Sequence, residues 1–124
     1  VKQSQSKVCE TVFSEINAVS DRADARRIEQ VASDLERIQY EPIFLIPVEG
    51  FLRMTKEQVL EEVRRTCDLT DEQIASHEFQ HREDPEKIRS EQLLMLKRNF
   101  HLLVRLRADE PEAWDEIHEL YEDD

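Results

Sequence analysis

With one glycine, Gly50, in 124 residues, this chain lacks the residue that tight hairpin turns most often require, which disfavours a fold of many short strands. Only four prolines interrupt it, and its abundant Glu, Leu, Arg, Ala and Gln favour helix. At 39% hydrophobic and 37% charged residues it can bury one core beneath a heavily solvated surface. The expected fold is all-α: one domain over residues 1–124, a bundle of about six helices with one extended connector.

The apolar spacing divides the chain. Val8, Val12, Ile16 and Val19 form a stripe on a helix over about 6–19, and Ile28, Val31, Leu35 and Ile38 form a second with the three-and-four step of a coiled-coil seam. Residues 6–39 are thus a helical pair or one bent helix, with cap candidates in Ser20 to Asp24, and the second stripe offers a homodimer contact. Pro42 and Pro47 bracket Ile43-Phe44-Leu45-Ile46, so about 40–50 is an extended connector with a buried apolar run.

Residues 55–124 read as four helices. Thr55-Lys56-Glu57-Gln58 and Thr70-Asp71-Glu72-Gln73 are capping boxes, opening helices to about Cys67 and about His81. Asp84-Pro85 opens the longest helix, about Glu86 to Arg107, whose apolar residues surround most of its circumference and make it the centre of the fold. Asp109 and Glu112 frame a last helix carrying Pro111, Trp114, Ile117, Leu120 and Tyr121.

Charge is concentrated at the end. Residues 51–107 hold 11 basic and 11 acidic side chains, whereas residues 108–124 hold nine acids and no Lys or Arg, out of a net charge of −12. That balance opposes direct binding to a phosphate backbone. Cys9 and Cys67 have no close paired spacing, so reduced buried thiols are expected. With no apolar run of membrane length and no signal-like opening, an intracellular, cytoplasmic protein with no membrane contact is expected.

Three motifs carry chemistry. His77-Glu78-Phe79-Gln80-His81 matches HExxH, in which two His one turn apart hold zinc and the Glu activates its water. Over these five residues it resembles the zincin metallopeptidases. That resemblance implies a zinc-dependent hydrolase with His77 and His81 as ligands and Glu78 as base, and Glu91 is the nearest third ligand. Arg82 and Glu83 depart from that family's uncharged continuation. Val63 to His77 resembles a helix-turn-helix, yet Asp71 and Glu72 would lead its recognition helix toward phosphates. Finally, Glu112, Trp114, Asp115, Glu116, Glu119 and Tyr121 form an acidic, partly aromatic helix surface. It docks on the bundle's own cations or meets a basic partner protein.

The function expected from these residues is non-enzymatic: an adaptor, inhibitor or assembly subunit that binds a protein partner through the acidic helix, with no cofactor. Zinc hydrolysis at His77, Glu78 and His81 is the alternative from a different class. A third reading is an acidic nucleic-acid mimic that inhibits a DNA- or RNA-binding protein.

Overall fold

Val8, Val12 and Ile16 lie along the inner face of the first helix, α1 (Lys2–Ala18), with Val19 just past its end, and Val12 and Ile16 are fully buried. A computed structural model describes residues 2–40, 42, 49–76 and 84–121. The remaining helices are α2 (Ala25–Arg37), α3 (Lys56–Asp68), α4 (Asp71–Ala75), α5 (Pro85–Arg107) and α6 (Pro111–Tyr121), with a 3-10 turn at Phe51–Arg53. No strand occurs among the described residues, and the all-α bundle agrees with the sequence.

Local chemistry sets most boundaries. Asp24 accepts from the Arg27 amide and starts α2, so the N-terminal half is two helices and not one bent helix. Thr55 and Thr70 form complete capping boxes with Gln58 and Gln73, and Asp84 with Pro85 starts α5. The helix opened by Thr70 is shorter than its pattern suggests: Ser76 closes α4 after Ala75, and the expected continuation to His81 falls outside the described residues. So does most of the proline-bracketed connector, Ile43-Phe44-Leu45-Ile46 included.

Two helix ends have no sequence signature. After α5, Glu110 N–H donates to Arg105 C=O and Asp109 N–H to Leu106 C=O; after α2, Tyr40 and Gln39 N–H groups donate to Leu35 and Glu36. Both are Schellman closures, and each places a non-glycine in the left-handed region, Asp109 and Gln39 at φ 63°. Gly50, at φ 73°, serves the connector instead. Because a left-handed L-residue costs about 1 kcal/mol, Gln39→Gly is expected to stabilise the protein by about 0.5–1 kcal/mol, measured by urea unfolding.

One core joins the elements. α5 contacts α1, α2, α3, α4 and α6 and buries Leu93, Leu96, Phe100, Leu103 and Leu106 completely. Its central position matches its apolar circumference, although Leu94 faces outward, 49% exposed. Val31 and Leu35 are also fully buried, with Ile28 half-buried and Ile38 packed on the core. This corrects the homodimer expected through Ile28, Val31, Leu35 and Ile38, because that stripe is already used within the chain.

The cysteines are a second correction. Cys9 of α1 and Cys67 of α3 form a disulfide, with Cα atoms 6.1 Å apart across a sequence separation of 58. They are not the reduced thiols expected from their spacing. At the other end of the same pair, the Lys56 ammonium donates to the Asn17 and Val19 carbonyls at 2.9 and 3.0 Å. α1 and α3 therefore run antiparallel, held at both ends.

Cations also tie the centre together. Arg107 is wholly buried: its guanidinium donates to Asp21 at 2.9 Å and to the Leu52 and Met54 carbonyls at 3.1 and 2.9 Å. It fastens the end of α5 to the α1–α2 loop and to the approach to α3. Burial lowers its basicity, and the Asp21 carboxylate opposes that shift. Arg89, 1% exposed, similarly bonds Glu86, Asp71 and the Leu69 carbonyl.

Candidate functional site

The acidic end has a docked side and an open side. Ala113 and Ile117 of α6 are fully buried and Trp114 packs half-buried against the core. Removing an isoleucine side chain from water contributes about 2 kcal/mol, so these residues hold an 11-residue helix that would be marginal alone. Glu112, Asp115, Glu116 and Glu119 recur at helical spacing on the opposite, exposed face.

Part of the local acidity is neutralised internally. Arg105 donates to Glu110 at 3.2 Å and to Glu116 at 3.4 Å, and both carboxylates raise its pKa. Arg27 donates to Asp109 at 3.2 Å while its other N–H groups cap the Leu106 and Arg107 carbonyls. Neither Lys97 nor Arg107 serves α6, since their partners are Glu15 and Asp21. Asp115, Glu119 and Glu112 have no ion pair among the described residues.

Beside this face runs a groove of about 500 Å³ between the end of α2 and α6, lined by Asp34, Arg37, Ile38, Trp114 and His118. Trp114 and His118 sit one turn apart with ring centroids 6.4 Å apart and planes tilted by 34°. Asp34 accepts from Arg37 and from Gln30, which fixes its carboxylate at the groove edge. The groove thus combines an aromatic wall, a carboxylate and an adjustable cation whose side chain is 73% exposed.

Of the six residues expected at the site, the structure brings Glu112, Asp115, Glu116 and Glu119 onto one face and places Trp114 at its edge; the Tyr121 side chain lies outside the described part. Sequence reasoning missed Asp34, Arg37, Ile38 and His118. His118 stands one turn from Trp114 and was legible by spacing, whereas the α2 residues reach α6 only through tertiary packing.

His77, Glu78 and His81 lie outside the described residues. Among those described, no group of three or more His, Cys, Asp or Glu is placed to hold a metal ion. In the region resembling a helix-turn-helix, α4 has five residues and Asp71 at its start is engaged by Arg89. No helix of the described residues is long and apolar enough to cross a membrane.

His101 is half-buried on α5, and its Nε2 has no hydrogen-bond partner among the described residues. Burial, followed by the Lys97 ammonium, lowers its pKa, with Glu15 opposing. The neutral ring is favoured.

No known protein family, curated protein or solved structure matches this chain.

Proposed function

We propose that this chain is a non-enzymatic protein-interaction module, an adaptor, inhibitor or assembly subunit. The outer face of α6 and the adjoining Trp114–His118 groove meet a basic surface on a partner protein. The observation that carries this reading is the division of the acids. Asp109, Glu110 and Glu116 have cationic partners within the bundle, while Asp115 and Glu119 stand exposed on α6 with no ion pair among the described residues. Unneutralised like charges on one rigid helix face favour a cationic partner and speed its encounter, and they make the complex salt-sensitive. The groove adds an apolar and aromatic surface where an anchoring side chain gains more than a rim charge does.

Glu116 is the wrong residue for testing this idea, because reversing it also breaks its pairing with Arg105. The clean variant is Asp115→Lys with Glu119→Lys. Partners captured from the native host at low salt are expected to bind this variant at least about tenfold more weakly, with unchanged helicity by circular dichroism. The same partners bound with the same affinity would remove α6 as the interface.

Location depends on redox poise, since disulfides persist mainly in oxidising compartments. The Cys9–Cys67 bond therefore removes a support for the cytoplasmic placement expected from sequence.

A further inference from the structure

The disulfide does not lie in the core. Cys9 and Cys67 are both half-buried and line an open groove of about 350 Å³ between α1 and α3, with Glu10, Phe13, Ser14, Val63, Arg64 and Asp68 around it. The Arg64 guanidinium lies over the Phe13 ring, 4.8 Å from its centroid, and covers the groove on one side.

Most anchors of α1 lie on the C-terminal side of the crosslink. Val12 and Ile16 are buried at 1% and 0% exposure, Glu15 pairs with Lys97 at 2.6 Å, and Lys56 holds the Asn17 and Val19 carbonyls. On the N-terminal side the described side chains are Lys7, which is exposed, and Val8, which packs half-buried on the core. Two helical turns have little stability of their own in water. Among the side chains described, the ion pair, the carbonyl clamp and the fully buried residues of α1 thus all lie on the C-terminal side of the crosslink.

We propose that Cys9–Cys67 is a thiol-exchange site, reducible in the folded protein by a dithiol, and that its reduction releases the N-terminal turns of α1 from α3. In the first step a thiolate of the reductant attacks one Sγ, the S–S bond breaks, and the other cysteine leaves as a thiolate. The reductant's second thiol then attacks the mixed disulfide and leaves as its own disulfide. The protein gains two electrons and, on protonation of both thiolates, two protons. Release opens the groove over Val63, which is 1% exposed in the crosslinked form. This inference does not depend on the partner-binding role of α6.

Dithiothreitol without denaturant, followed by thiol counting and amide hydrogen exchange, tests both halves. Reduction is expected to run to completion much faster than global unfolding, with amides of residues 2–11 coming to within about tenfold of the rate of an unstructured peptide while those of α5 keep the protection that the remaining global stability gives them. The variant Cys9→Ser with Cys67→Ser is expected to show the same local change without reductant. Reduction at the global unfolding rate would overturn the exchange site. Amides of residues 2–11 that stay as protected as those of α5 after reduction would overturn the local release. Two free thiols in protein prepared under air would overturn the whole proposal.

Discussion

Reducing Cys9–Cys67 is expected to lower the stability of the whole bundle by about 4 kcal/mol, which corresponds to a fall of roughly 15 °C in melting temperature. The estimate comes from the unfolded chain. A bridge between residues 58 apart removes conformations from the unfolded ensemble, and that restriction grows with the logarithm of the loop length. Since domains of this size are stable by about 5–15 kcal/mol, the reduced protein should remain folded at room temperature. Calorimetry with and without reductant measures the shift, and Cys9→Ser with Cys67→Ser should reproduce it. A change of only a degree or two would mean that the bridge does not form or that the unfolded chain is already compact.

Arg107→Ala is the second large effect, with an expected loss of about 3–5 kcal/mol. The substitution leaves Asp21, itself 7% exposed, as a buried carboxylate without its cation and strips the Leu52 and Met54 carbonyls of a donor. A cavity adds to the loss. The surface arginine Arg53, which pairs with Glu29 and Glu36 on a half-exposed side chain, provides the contrast. Its hydrogen bonds lower the pKa of both acids, yet Arg53→Ala should cost far less than Arg107→Ala because solvent screens such pairs. Urea unfolding of the two variants ranks them, and equal losses would contradict the clamp assigned to Arg107.

The legible parts of the fold were those decided within one helical turn. Thr55 with Gln58, Thr70 with Gln73, and Asp84 with Pro85 act on neighbours in sequence, so their helix starts appear where the spacing places them. The stripe Ile28, Val31, Leu35 and Ile38 was legible as a stripe but not as to what covers it. Periodicity is the same whether the neighbour is another copy or the chain's own α5. Cys9 and Cys67 meet only because α1 and α3 run antiparallel, which no local pattern encodes. Arg107 lies in the last turn of its helix, where any cation suits the dipole, and its burial follows from two distant segments, Asp21 and Leu52 to Met54, meeting on it. The two Schellman closures escaped notice because Gln39 and Asp109 occupy positions where glycine is the usual signal.

The acidic helix was legible in the same partial way. Charge counting located it, but which acids were already paired depended on Arg27 and Arg105 reaching them. The structure moves the emphasis from the whole acidic end to Asp115 and Glu119 and adds the groove made with α2.

Trp114 is the chain's single tryptophan and lines that groove, so its fluorescence reports directly on the proposed interface. Titration with a captured basic partner is predicted to shift the Trp114 emission along a saturable curve that moves to higher concentration with salt and disappears in the Asp115→Lys, Glu119→Lys variant. A partner that binds tightly with no change in Trp114 emission, and equally well to the reversed variant, would contradict the account.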